Sequence, residues 1–411
     1  MGISTSSDRQ PMSPGSVCVR RPVICVLMRY YLPGYKSGGP VRSVANLIEV
    51  LGDEFDFRVI CLDRDNAENV PYESAVPATW RQVGKASVFY MDTRAVRRWV
   101  LLQLIRTLQP DLVYLNSFFD PVFSAPVLWM RRMGWMGHVP LLLAPRGEFS
   151  PGALMLKQGK KQLYLRAVGW VGIRRMVRWH ASTADERNNI VRAVGISPAS
   201  VRVAVDLTNV PALSLVKRET APHSVPRIVF ISRVSPMKNL TFALRVINRL
   251  RTPVSFDIWG PHEDRDYWAQ CEALMRQAPP HVAITYRGAI EHSRVFDVMA
   301  GYDVFFLPTL GENFGHVIME AMAVGTPVLI SDCTPWRGLA DLGVGHDLSL
   351  TDENAFIAAL ESYSGISADA REAQRSRVAT YAARMAGDGD GVQRNRALFN
   401  WAMGRIDQEG C

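Results

Sequence analysis

The chain has 411 residues, enough for two domains or three, and a hydrophobic content of 48% that supplies full cores. No uninterrupted apolar run reaches the roughly 18 residues of a bilayer span, and the six cysteines include no Cys-x-x-Cys pair, which argues against a membrane-spanning or disulfide-built protein. The net charge of +8 is uneven: residues 1–205 carry 27 basic and 15 acidic side chains, or +12, and residues 206–411 carry 20 and 24, or −4.

Residues 1–20 are rich in Ser and Pro, lack an apolar signal core and read as a disordered tail, not a secretion signal. An apolar strand over 22–28 follows, then the loop Tyr31-Leu-Pro-Gly-Tyr-Lys-Ser-Gly-Gly-Pro40 and a helical pattern through Leu51. Strands over 57–62, 87–91, 112–115 and 139–143 continue the series, with helical stretches over 95–108 and 121–133 among them. This alternation predicts an open parallel sheet with helices on both faces. Cys25 and Cys61 fall in these strands and read as reduced core thiols of a cytoplasmic protein, and His180 ends another strand as a buried structural histidine.

Between Glu148 and Asp185 no acidic residue occurs, yet Lys157, Lys160, Lys161, Arg166, Arg174, Arg175 and Arg178 do, with Trp170 and Trp179 among them. Such a segment suits an anionic membrane surface; a solvated helix face and a weak nucleic-acid patch are the alternatives. No nucleic-acid-binding motif accompanies it. Residues 209–226 hold three prolines without periodicity and read as a linker between a domain over 21–208 and another over 227–390. The second domain starts the pattern again with strands over 227–231, 254–259, 282–286 and 304–307 and a helix from Asn239. The fold class is therefore α/β, two doubly wound Rossmann-like domains facing across a cleft, with ligands at the carboxyl ends of the strands.

The most informative segment is Gly311-Glu-Asn-Phe-Gly-His-Val-Ile-Met-Glu-Ala-Met-Ala-Val-Gly-Thr-Pro-Val328. It follows a buried strand, turns at Gly311, starts a helix near Gly315 and stops near Gly325. A strand–loop–helix aims free backbone N–H groups past the strand ends, where an anion binds. Glu312 and Glu320 beside such a site are suited to accepting bonds from sugar hydroxyls. Arg233 and Lys238, in Ser232-Arg-Val-Ser-Pro-Met-Lys-Asn239, lie at the same strand edge and match a diphosphate. Their charge suits the growing negative charge on a departing phosphate.

This pattern resembles the Glu-x7-Glu signature of family 4 glycosyltransferases, retaining enzymes of the GT-B fold, and Arg233/Lys238 resemble that family's phosphate clamp. The resemblance covers residues 22–405, most strongly 227–340. It implies that Glu320 accepts the ribose hydroxyls of a nucleotide sugar, that Glu312 sits over the donor sugar, and that the Asn313–Phe314–Gly315 backbone approaches sugar and phosphate. His316 is expected either to touch the phosphate or to be exposed. Gly260 and Gly288 are expected to line the base pocket through backbone groups, and Gly38-Gly39 to form a loop near the diphosphate and acceptor. Arg146 and Glu148, after an apolar strand, are the expected first-domain residues for donor phosphate or acceptor hydroxyls. Where many members carry a His, this chain has Asn116, which bonds a sugar hydroxyl or carbonyl but cannot act as a general base. The resemblance also implies that the last helix, within 391–411, crosses back to the first domain.

The function so implied is retaining transfer of a hexose-type sugar from a nucleotide-diphosphate sugar to a saccharide or lipid-linked saccharide in exopolysaccharide, capsule or lipopolysaccharide assembly. No cofactor or metal is implied; Asp63-Arg-Asp65, Asp264-Arg-Asp266 and Asp388-Gly-Asp390 read as polar surface turns. The expected partners are the nucleotide sugar, the acceptor and an anionic membrane surface, without nucleic acid, in a cytoplasmic protein peripheral to the membrane's inner face. The alternatives are a nucleotide-sugar epimerase of the same architecture and a non-catalytic nucleotide-sugar-binding partner.

Overall fold

The computed structural model describes residues 20–405 except 67, 76–77, 94–97, 156–158, 160–163, 166–171, 209–224, 263 and 388. The tail over 1–19, most of the linker, Lys157, Lys160, Lys161, Arg166 and Trp170 of the basic segment, Asp388, Cys18 and Cys411 lie outside the described residues.

Fourteen strands build two sheets among the described residues. The first comprises β1 (Val23–Leu27), β2 (Asp56–Leu62), β3 (Trp80–Val83), β4 (Ala86–Met91), β5 (Leu112–Asn116), β6 (Leu141–Ala144), β7 (Arg178–Ala181) and β8 (Val201–Val203), in the order β3-β4-β2-β1-β5-β6-β7-β8. The second comprises β9 (Arg227–Ile231), β10 (Val254–Trp259), β11 (Val282–Gly288), β12 (Val304–Leu307), β13 (Val328–Ser331) and β14 (Gly345–Leu348), in the order β11-β10-β9-β12-β13-β14. Every pairing is parallel except β3 with β4. β1, β5, β6, β12 and β13 are buried along their whole length, as helix-covered parallel strands must be.

Strand order reverses at β1/β5 and at β9/β12. Chains leaving neighbouring strands there turn to opposite faces and leave a crevice beyond the carboxyl ends. The loop with Gly38 and Gly39 follows β1, Asn116 ends β5, the loop with Arg233 and Lys238 follows β9, and the loop with Glu312 follows β12. Topology alone therefore puts these residues at the two switch points.

β3, β8 and β14 carry no sequence expectation. They are short edge strands, partly exposed, with too few apolar positions to announce themselves. The helix expected over 121–133 runs Ser124–Arg132, because Asp120 accepts the N–H groups of Val122 and Phe123 and holds Pro121–Phe123 in a turn. β6 starts at Leu141, one residue past Pro140, which has no N–H for a ladder.

The helix Gly389–Met403 packs on the first sheet. Phe399 is fully buried, with ring centroids 5.4 Å from Phe55, 5.8 Å from Phe57 and 5.6 Å from Tyr114. Arg396 donates to Glu54 at 2.5 and 2.7 Å, and Asn395 Nδ2 to the Val205 carbonyl at 2.8 Å. Arg178 bonds the Trp401 carbonyl, and the guanidinium groups of Arg178 and Arg202 both lie 5.2 Å from the Trp401 ring centroid. Removing a fully enclosed ring costs about 3–5 kcal/mol. Phe399→Ala is expected to lower the urea midpoint of the first domain accordingly and leave the second domain's transition in place, as read by two-probe denaturation.

Candidate active site

The loop after β9 is tied to the loop after β12. Leu310 N–H and Thr309 Oγ1 donate to the Met237 carbonyl at 2.8 and 3.0 Å, and Asn239 Nδ2 donates to the Pro308 carbonyl at 3.0 Å. The turn Pro236–Lys238 thereby points Lys238 at Glu312, and the two form a partly buried ion pair. Arg233 is near the opposite wall: a Cβ placed on Gly38 would be 3.9 Å from Arg233 Nε. Gly38 caps the helix Gly39–Leu51 at φ +69°, a conformation that favours glycine, and the space beside Gly39 is open.

Glu320 sits in the helix His316–Ala323 with its side chain 15% exposed. Burial pushes its carboxyl up to about 7, and Arg42, from the first domain, pulls it back. His292 Nδ1 lies 3.8 Å away. Gly315 precedes this helix at φ +80°, and a Cβ there would meet Ile318 Cδ1 at 2.8 Å. Phe314 packs on Trp336, whose Nε1 donates to the Phe314 carbonyl at 2.7 Å. Asn313 Nδ2 donates across the cleft to Ser182 Oγ at 3.0 Å.

The first domain's side of the cleft departs from expectation. Arg146 does not project freely into the cleft, for its side chain is only 4% exposed. It pairs with buried Asp206, donates from Nε to Asn116 Oδ1 at 3.1 Å and from Nη2 to Tyr114 Oη at 2.8 Å. A guanidinium removed from water needs such partners. Burial alone would raise the Asp206 carboxyl, but Arg146, His316, His180 and the Ser43 hydrogen bond together outweigh it and hold Asp206 below its ordinary value. Glu148 locks the loop after β5, accepting from Ser117 Oγ at 2.6 Å and from the N–H groups of Phe118 and Phe119 at 2.6 and 3.2 Å. Both residues still line a cavity of about 320 Å³ with Arg29, Asn116 and Asp120. Asn116 Nδ2, buried in that lining, has no hydrogen-bond partner among the described residues.

His316 is not exposed. It is buried, with Nε2 2.8 Å from Ser43 Oγ, and Ser43 donates to Asp206 Oδ2 at 2.8 Å, so Nε2–H is the donor to Ser43. Burial pushes His316 down to about 4, which keeps it neutral near pH 7. His180 is buried too: Nε2 donates to the Ala204 carbonyl at 2.8 Å, and Nδ1 accepts from Tyr114 at 2.7 Å. Gly260 and Gly288 bond each other, Gly260 N–H donating to the Gly288 carbonyl at 2.8 Å, and Tyr286 Oη donates to the Gly260 carbonyl at 2.9 Å. A Cβ on Gly260 would fall 1.9 Å from the Ser232 carbonyl oxygen, so close backbone approach is what requires this glycine. Asp63 and Asp65 are not surface turns. Both are buried, and Asp65 Oδ2 accepts the N–H groups of Tyr35 and Lys36 at 2.8 and 3.0 Å, shaping the glycine loop. Asp264 caps the helix Arg265–Met275.

Arg42, Ser43, Ser182, Glu186 and Asp206 complete the cleft and were not singled out from the sequence. Glu186 accepts from Gly147 N–H at 2.6 Å and Ser182 N–H at 2.7 Å, fixing the loop that faces Asn313. Thr183-Ala-Asp-Glu186 has a capping-box spacing that marks its helix start, and Thr183 does accept from Glu186 N–H. Nothing local marks the other four.

A family profile for "Glycosyl transferases group 1" matches residues 225–364, and one for "Glycosyl transferase 4-like domain" matches residues 38–205. The D-inositol 3-phosphate glycosyltransferase of Rhodococcus opacus is 27% identical over 234 residues, 51% of this chain and 50% of that protein. A phosphatidyl-myo-inositol mannosyltransferase of Mycobacterium leprae is 39% identical over 79 residues, 19% of this chain and 21% of that protein. The chain spans half or less of the length of the curated relatives it matches. Anabaena HepE, solved with UDP and glucose, superposes with a TM-score of 0.65 at 17% identity over 93% of this chain and 100% of HepE. WaaG, a glycosyltransferase involved in lipopolysaccharide biosynthesis, gives 0.62 at 12% identity over 91% and 99%. The chain belongs to the GT-B glycosyltransferases of the family 4 kind.

Glu320 offers a direct check of the cleft's electrostatics. Its folded value lies above that of an exposed glutamate, so its ionisation costs stability progressively as pH rises from about 4.5 to about 7. Isotope-edited carboxyl titration is expected to show a midpoint near 7, and Arg42→Gln is expected to move it higher because the cation that lowers it is gone.

Proposed function

We propose that this chain is a retaining, metal-independent hexosyltransferase that moves a sugar from a nucleotide diphosphate to a hydroxyl of a saccharide or lipid-linked saccharide. The observation that carries the reading is the meeting of Arg233, Lys238 and Glu312 with the Gly38 turn at the paired switch points. The diphosphate lies between that turn and the loop after β9, where Arg233 and Lys238 carry its charge. Glu320 accepts the ribose hydroxyls; Glu312, now paired with Lys238, turns to hydroxyls of the donor sugar. Asn116 donates its unpartnered Nδ2 to a sugar oxygen at the cavity wall.

The acceptor hydroxyl attacks the anomeric carbon from the face that the diphosphate leaves. The leaving phosphate oxygen takes the hydroxyl's proton, one C–O bond breaks as another forms, and the sugar passes through an oxocarbenium-like state with retention. Arg233 and Lys238 stabilise the charge growing on the diphosphate, as fixed donors do at a developing anion. Closure of the halves excludes water. A place in exopolysaccharide, capsule or lipopolysaccharide assembly accords with the involvement of WaaG in lipopolysaccharide biosynthesis, and a nucleotide-sugar donor with the UDP-glucose bound by HepE.

Calorimetry and initial rates with a panel of nucleotide sugars test the assignment. Glu320→Ala is expected to weaken donor binding, and Glu312→Ala chiefly to lower kcat. Arg233→Ala and Lys238→Ala are each expected to cost on the order of 10²-fold in rate. Normal transfer by both glutamate variants would refute the site, and an epimerised donor without new glycoside would replace the reaction. Activity is expected to survive EDTA; loss restored by a divalent ion would overturn metal independence.

A further inference from the structure

The helices Arg98–Leu108 and Ser124–Arg132 lie side by side on the first domain and bury Leu101, Leu102, Ile105, Val127, Leu128 and Met130 beneath them. Their outward faces are unusual. Trp99 is 67% exposed, Trp129 44%, Met133 56% and Trp135 37%. Trp99 and Trp135 stack with centroids 5.1 Å apart, and Arg106, two turns along from Trp99, holds Trp135 in place by donating to its carbonyl at 3.2 and 2.8 Å. Trp129 and Met133 lie one turn apart on the neighbouring helix and its C-terminal cap. Scattered exposed apolar side chains need no explanation, but three tryptophans on two adjacent elements form a patch.

The charge on these two stretches of chain is of one sign. No Asp or Glu occurs between Asp92 and Asp111 or between Asp120 and Glu148, whereas Arg98, Arg106 and Arg132 are exposed on these elements. A second copy of the chain is a poor occupant, because a two-fold contact would set these arginines against their own copies. Indole rings favour the headgroup level of a bilayer, and guanidinium groups bind phosphate in bidentate fashion.

We infer that this face docks the protein on an anionic lipid surface, with Trp99, Trp129 and Trp135 inserted at headgroup depth and Arg98, Arg106 and Arg132 on lipid phosphates. The residues of this face are other than those of the Lys157–Arg178 segment that sequence alone suggested, although Ile173–Arg175 of that segment packs on the Ser124–Arg132 helix, and the inference does not depend on the reaction proposed above. Each arginine near such a surface multiplies partitioning about fivefold, and the effect fades within a Debye length.

Co-sedimentation of the full chain with phosphatidylcholine vesicles, alone or with equal phosphatidylglycerol, tests the inference without any sugar donor. Binding is expected to the anionic vesicles, released by salt, with a blue shift of tryptophan emission. Trp99→Ser/Trp129→Ser should abolish it, and Arg98→Gln/Arg132→Gln should lower partitioning about 25-fold, with unchanged thermal midpoints because all four side chains are exposed. Lys157→Gln/Lys160→Gln/Lys161→Gln should retain binding. Equal binding to both vesicle types, no binding, binding lost only in the lysine variant, or dimerisation abolished by the tryptophan changes would each overturn the inference.

Discussion

The buried ion pair of Arg146 and Asp206 is the contact around which the cleft is organised. Each charge is out of water, and the exchange of one for a neutral group would strand the other, at a cost of about 3–5 kcal/mol. That penalty makes the arrangement discrete. Arg146 reaches Asn116 and Tyr114, Tyr114 reaches His180, and Asp206 reaches Ser43, which holds His316 of the other half. The end of β5, the loop after β6, the end of β7 and the start of the His316–Ala323 helix are thereby set relative to one another.

The network explains two features that site chemistry alone leaves arbitrary. Arg146 has φ +55°, a strained value for a side chain of its size, and its set of buried bonds supplies the compensation. His316 begins the helix that carries Glu320, so the Glu320 carboxylate is positioned through a hydrogen bond to the first domain as well as by its own helix. Arg42, one residue before Ser43, brings a cation to Glu320 from the same surface. The second domain's side of the cleft is therefore completed by the half that faces it.

How much was legible follows from sequence distance. Arg233 and Lys238 share one loop, and Glu312 and Glu320 share one loop and helix, so strand–loop–helix punctuation located them together. Strand runs such as 227–231, 254–259 and 304–307 were likewise readable because burial on both faces makes them continuously apolar. The first-domain network is built from partners 60 residues apart for Arg146–Asp206, 163 for Ser43–Asp206 and 273 for Ser43–His316. No local pattern encodes such pairs. Arg146 and Glu148 were found because they follow a strand, yet their bonds turn inward because the partners that claim them lie elsewhere in the chain.

Leu207 packs in the core of the first domain and Ile228 in that of the second, and the Gly389–Met403 helix returns to the first. The segment Val205–Leu207 and the start of that helix are neighbours: Asn395 Nδ2 bonds the Val205 carbonyl, a Cβ on Gly391 would be 3.2 Å from Val205, and Asn46 Nδ2 bonds the Leu207 carbonyl at 3.0 Å. Asp206 lies between Val205 and Leu207 in that same segment, and it links Ser43 and Arg146. Through Ser43 it also reaches His316 of the second domain. The last helix, by packing on the first sheet and bonding Val205, braces the segment that carries Asp206, so one buried carboxylate serves both the fold and the alignment of the two halves.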